Sequence, residues 1–122
     1  WAIENAIGAE LFVPKIPSYK IETMAKAIAP NAKLVDVGIR PGEKLHEEMI
    51  TISDAMNTID IGKYYAILPS GANKENYLRY YNGIEVPEGF NYSSGKNEAW
   101  VSVEEMQQLI IKYVDPDFRP FE

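Results

Sequence analysis

Arg40 and Glu43, three residues apart, carry the most distinctive chemistry in this chain. They flank Pro41-Gly42 in the run Gly38-Ile39-Arg40-Pro41-Gly42-Glu43-Lys44-Leu45-His46-Glu47. A guanidinium offers a planar fork of donors that matches two phosphate oxygens, a geometry lysine does not reproduce. A carboxylate can accept from a pair of vicinal hydroxyls, as it does when it holds a ribose. The pair therefore suits a nucleoside diphosphate sugar. The competing reading is an ion pair between the two on an exposed turn, worth about 0 to 1 kcal/mol.

Other candidates are weaker. His46 falls one helical turn after Glu43 if a helix runs there, so it can orient that carboxylate or reach a ligand; the alternative is a structural histidine. Lys15, in Phe12-Val13-Pro14-Lys15-Ile16-Pro17-Ser18, can place a positive charge near a substrate or simply be a solvated loop lysine. Ser18 reads as a turn or cap residue. Glu47 and Glu48 are adjacent, on different azimuths of a helix, which argues against a paired acid/base device. Tyr77, Tyr80 and Tyr81 cluster, but with few basic neighbours they do not make a nucleic-acid platform.

The elements that must position these residues follow from spacing. Trp1, Ile3, Ala6 and Ile7 predict the end of a helix with Gly8 as its cap. Leu11 to Val13 is a short strand, and Ile21, Met24, Ala25 and Ile28 repeat as a helix that stops at Pro30-Asn31. Leu34 to Ile39 reads as a strand feeding the Arg40-Pro41-Gly42 turn. A short helix is expected over Glu43 to Ile50, with Leu45, Met49 and Ile50 inward. Strand, turn, helix is the order that aims backbone N–H groups at an anion. Thr58 to Ile61 and Tyr64 to Leu68 can pair around Gly62-Lys63. Residues 73–81 show weak periodicity, and 83–96 read as an irregular crossing. Ser102 with Glu105 makes a capping-box pattern before the stripe Val103, Met106, Leu109, Ile110, Tyr113. Tyr92 to Ser94, Asn97 and Trp100 read chiefly as packing, with Trp100 a core anchor.

Composition bounds the rest. The 122 residues, 46% hydrophobic and 25% charged, predict one globular domain of mixed α/β character, with short strands and about three to four helices. A net charge of −6 argues against general affinity for nucleic acid. No cysteine and a single histidine leave no thiolate or multi-histidine metal site. No run reaches the roughly 18 apolar residues of a membrane span, and the N-terminal residues lack the pattern of a signal peptide, so a cytoplasmic protein without membrane partners is expected. A start at Trp1, within an apparent helix, is read as a piece of a longer polypeptide.

The segments 12–18 and 38–47 together resemble the C-terminal, substrate-binding part of the bacterial UDP-N-acetylglucosamine 4,6-dehydratases, extended members of the short-chain dehydrogenase/reductase superfamily. The resemblance is specific from Phe12 to Met49 and looser beyond. It implies that Arg40 holds the diphosphate and Glu43 the ribose of a UDP-sugar, with Lys15 and His46 as further candidates. It also implies an NADP-dependent lyase, inverting at C5, in surface-glycan synthesis, assembled as a homo-oligomer, whose Rossmann half lies upstream. No Gly-x-Gly-x-x-Gly element follows a strand. The expectation is therefore no cofactor-binding, metal or catalytic residue in this chain, the superfamily's Tyr-x-x-x-Lys pair included, and no activity by the chain alone. The alternatives are a non-catalytic nucleotide-sugar or phosphate-binding or assembly module, and part of a related nucleotide-sugar epimerase or dehydratase.

Overall fold

The computed structural model describes residues 1–121, which pack as two compact units. The first comprises Trp1–Ile16 and Glu47–Ser93, the second Pro17–His46 and Ser94–Glu122.

The first unit is built on the hairpin of β3 (Thr58–Asp60) and β4 (Tyr64–Ile67), as expected around Gly62-Lys63. Gly62, at φ 89°, occupies the first central position of the two-residue loop, where hairpin turns of the II′ class take glycine. The Asp60 carboxylate accepts from the Gly62 N–H at 2.9 Å. β1 (Leu11–Pro14) adds to β4, and β5 (Ile84–Glu85) to β3, giving the antiparallel order β1-β4-β3-β5. Ile59 and its register partner Ala66 are fully buried and with Leu68 form a core covered by Phe12, Ile61, Tyr77, Leu78 and Tyr81.

The covering tyrosines come from α4 (Lys74–Tyr81), a helix that residues 73–81 do not announce by periodicity. Asn82 ends it in the left-handed region, and Gly83 follows where a Cβ would lie 2.8 Å from the Asp60 carbonyl oxygen. Only glycine permits that approach. Tyr81 donates to the Glu10 carboxylate, which also accepts from the N–H groups of Ile7 at 2.7 Å and Gly8 at 2.8 Å. These bonds hold the turn between α1 (Ala2–Asn5), shorter than the expected helix to Ile7, and β1. Trp1 stacks on Tyr64 and meets Phe12 edge-on, whereas Ile3 projects outward. A second, two-stranded sheet pairs β2 (Glu48–Ile50) with β6 (Tyr92–Ser93), and α3 (Ile52–Ala55) carries a capping box from Thr51 and Asp54.

The second unit pairs α2 (Ile21–Ile28) with α5 (Val103–Tyr113). Ala27, Val101 and Met106 form its core, with Met24, Val103 and Ile110 around them. The Ser102 and Glu105 capping box is present as read from sequence. The fold is thus mixed α/β, with antiparallel sheets and, among the described residues, five helices, two of them single turns, where three to four were expected.

Two elements differ from expectation. Residues 34–39 form no strand, because no partner strand among the described residues takes their backbone groups; Val37 is 85% exposed. Residues 43–50 form no helix: 43–46 are irregular, and 48–50 are drawn into β2, where pairing with Tyr92 buries Ile50 fully and leaves Met49 outside. Tertiary pairing outweighs the weak helical spacing there. The interval 83–96, expected to be irregular, contributes β5 and β6.

Candidate functional site

Arg40-Pro41-Gly42-Glu43 closes as a β-turn. The Glu43 N–H donates to the Arg40 carbonyl at 3.1 Å, Pro41 fixes the first central φ, and Gly42 takes φ 84° at the second, the pattern of a type II turn. The Glu43 carboxylate folds back, and its Oε2 accepts from the Arg40 backbone N–H at 2.8 Å. It does not bind the Arg40 guanidinium, so the ion-pair reading of these two residues fails. Among the described residues the guanidinium makes no hydrogen bond or ion pair. The turn therefore presents an open fork of donors beside a carboxylate with one oxygen already engaged. No helix begins after it, so the strand-turn-helix anion cradle expected from sequence is absent here.

His46 belongs to the same unit but lies in irregular chain, not one helical turn from Glu43. Its imidazole meets Gly95: a Cβ placed on Gly95 would sit 2.7 Å from His46 Cγ and Cδ2 and 2.8 Å from Nδ1. Nothing in the sequence signals this contact.

Lys15, in the other unit, is a solvent-exposed loop lysine with its charge paired. Its ammonium donates to both oxygens of Asp60 at 2.7 Å and lies 4.5 Å from the centre of the Tyr65 ring. Tyr65 packs on Phe90 and Tyr92, and the Tyr92 hydroxyl donates to the Ile16 carbonyl and accepts from the Ile16 N–H, both at 2.9 Å. Lys15 is thus neutralised and held. Asp60, its partner 45 residues away, could not be read from local sequence.

Ser18 is buried, and it is neither a turn nor a cap. Its N–H donates to the Ala99 carbonyl, and its own carbonyl accepts from the Val101 N–H, both at 2.8 Å, as a parallel bridge beside Trp100. The Asn97 side chain donates to Ser18 Oγ at 3.2 Å. Trp100 is not a core anchor: it is 43% exposed, with its indole N–H on the Asn97 carbonyl at 2.7 Å, and it lines an apolar groove with Pro17, Val101 and Leu109.

A tyrosine and a lysine four residues apart do occur once, at Tyr92 and Lys96, against the expectation that the spacing is missing. The spacing puts two side chains on one face only within a helix. Tyr92 lies on β6 and its hydroxyl is committed to Ile16, so the pair does not have the form of a helical general base and its lysine. Each named strand pair is antiparallel, and the strand-to-helix loops that hold a glycine, at Gly71 and Gly95, carry it singly and not as a Gly-x-Gly-x-x-Gly run. No helix among the described residues is long and apolar enough to cross a membrane.

The family model for polysaccharide biosynthesis proteins matches residues 1–69, more than half of the chain. The chain belongs to this family. The chain is 43% identical over 113 residues to a UDP-N-acetylglucosamine 4,6-dehydratase (inverting) of Campylobacter jejuni, covering 88% of this chain and 34% of that protein. It is also 30% identical over 117 residues to a UDP-glucose 4-epimerase of Rickettsia akari, covering 91% of this chain and 34% of the relative. Among solved structures, that of Pen from Bacillus thuringiensis superposes with a TM-score of 0.67 at 26% identity, over 91% of this chain and 33% of that one. The chain spans about a third of the length of the curated relatives it matches.

Proposed function

We propose that this member of the polysaccharide biosynthesis family is the nucleotide-sugar-binding part of a C5-inverting UDP-N-acetylglucosamine 4,6-dehydratase, a cytoplasmic lyase of bacterial surface-glycan synthesis. The observation that carries the reading is the Arg40 to Glu43 turn, with its guanidinium unengaged. The 43% identity to the Campylobacter dehydratase supports the choice of reaction.

In this reading Arg40 forks onto the diphosphate, where charge-assisted paired hydrogen bonds give both strength and direction. Glu43 accepts from the ribose hydroxyls through the oxygen that its own turn leaves open. The type II turn fixes the spacing of the two groups before ligand arrives, which lowers the ordering cost of binding. Lys15, tied to Asp60 and Tyr65, shapes its loop and does not meet phosphate. Overall one water is lost: the C6 hydroxyl leaves, the hydrogen of C4 is passed to C6, and a 4-keto-6-deoxy sugar remains. The groups that perform it, with NADP, lie in a dinucleotide-binding half outside this chain, and the enzyme works as a homo-oligomer.

The test is turnover of UDP-N-acetylglucosamine followed by mass spectrometry and NMR. The intact protein is expected to form a 4-keto-6-deoxy product, and this chain alone none. Product from the chain alone would overturn the division of labour. The Rickettsia matches favour a second reading, a related epimerase, and conversion of UDP-glucose to its 4-epimer without dehydration would select it.

A further inference from the structure

Residues 33–45 make only three hydrogen bonds among the described residues: Gly38 N–H to the Asp36 carboxylate at 2.7 Å, and the two that close the Arg40 turn. All are local. No residue of 33–46 belongs to either buried core cluster. A turn held only to itself has a fixed shape but no fixed place, and a grip for a diphosphate needs both. The segment must be pinned somewhere near the turn.

His46 supplies the pin. The three near-equal distances from the Gly95 Cβ position to Cγ, Cδ2 and Nδ1 place that position over the face of the ring, since only the ring normal is equidistant from three ring atoms. The imidazole therefore lies flat on Gly95. Gly95 is not at positive φ, so conformational freedom does not demand glycine there; the approach of the ring does. The platform is itself anchored. Two residues on, Asn97 bonds Ser18, the Ala99 N–H and the Trp100 indole, and through the Ser18 bridge this loop joins the start of α5. His46 follows Glu43 by three residue steps, a tether of at most about 11 Å.

We propose that His46 seated on Gly95 is a positioning contact for the diphosphate grip, so that residue 95 controls nucleotide affinity without touching the nucleotide. This rests on the reading of Arg40 and Glu43 given above. The mechanism is steric: any side chain at 95 lifts the ring from its seat and frees the turn to wander from its aim.

A double-mutant cycle in the intact protein tests it, with UDP affinity read by calorimetry and folding by thermal melting. Gly95→Ala and His46→Ala are each expected to weaken UDP binding on the order of tenfold, the scale of one lost charge-assisted bond, at a melting temperature close to that of wild type. Gly95→Ala in the His46→Ala background is expected to do nothing further, because the ring it displaces is gone. Equal weakening in both backgrounds, or none in either, overturns the proposal. If Gly95→Ala does not fold, His46→Ala carries the test alone: weaker UDP binding at an unchanged melting temperature supports the pin, and unchanged affinity overturns it. Arg40→Ala, run beside these, separates the two levels. If it leaves affinity unchanged, the site reading fails; if it weakens binding while residues 46 and 95 show no coupling, only the positioning contact fails.

Discussion

The β3–β4 hairpin and the stretch 33–46 start from similar material. Thr58-Ile59-Asp60 and Tyr64 to Ile67 are β-prone and apolar, and so is Leu34-Val35-Asp36-Val37-Gly38-Ile39. The first becomes the centre of a four-stranded sheet with Ile59 and Ala66 fully buried; the second forms no element and stays exposed. The difference is not propensity but partners. Ile61 to Tyr64 turns back on a glycine and supplies its own neighbour, while residues 33–40 run into Pro41 and find none among the described residues. Residues that hold the fold and residues left open to solvent are therefore segregated: the hairpin pairs its backbone within the sheet, and the stretch leaves a guanidinium without a partner among the described residues.

The largest expected effect lies in the hairpin. Ile59→Ala removes a fully buried side chain from the first unit's core and should cost about 2 to 5 kcal/mol in chemical denaturation. A cost below 1 kcal/mol would break the contrast at its strong end.

Capping comes next. Ser102 accepts from the Glu105 N–H at 3.1 Å, and Ser102→Ala should cost about 1 kcal/mol, read as a shift of the denaturation midpoint at unchanged slope. An unaltered midpoint would mean that α5 is held by packing alone.

A smaller, pH-dependent effect comes from Glu10. Burial raises its carboxyl, but the Tyr81 hydroxyl and the N–H groups of Ile7 and Gly8 outweigh that and hold it below 4.5. Because the folded value is depressed, its stabilisation is present above 4.5 and is lost as pH falls through the folded value. Tyr81 is raised above 10.0 by burial and by the Glu10 carboxylate, so its contribution is lost as pH rises beyond that. Denaturation midpoints measured down through the acid range should fall less steeply in Glu10→Gln than in wild type; equal slopes would remove Glu10 from the account.

The smallest effect belongs to the open stretch. Ile39→Ala should leave stability within about 0.5 kcal/mol of wild type, as for other exposed positions. A loss of 2 kcal/mol would show that this segment is packed in solution and erase the contrast with Ile59.

Local signals were legible where they close on themselves. The Gly62-Lys63 hairpin, the Ser102 and Glu105 box and the Ile21 to Ile28 stripe each need only neighbours in sequence, and each is present. Helix α4 was not legible, because its inward residues Tyr77, Leu78 and Tyr81 are chosen by the sheet they cover, with two tyrosines also serving Gly8 and Glu10. The β2 strand was misread for a like reason: Tyr92 and Ser93, more than 40 residues on, decide its conformation. At the candidate site the turn itself could be read from Pro41 and Gly42. The bond from Arg40 N–H to Glu43, the seat of His46 on Gly95 and the capture of Lys15 by Asp60 depend on contacts that spacing does not encode.

The central claim is that the open guanidinium of Arg40 holds a diphosphate, and titration of UDP into the intact protein carrying Arg40→Ala tests it most directly. Loss of a charge-assisted, forked contact predicts affinity lower by about 1.5 to 3 kcal/mol, roughly tenfold to a hundredfold, with Arg40→Lys also impaired because it keeps charge without the fork. Wild-type UDP affinity in Arg40→Ala would contradict the account and leave the turn without a ligand.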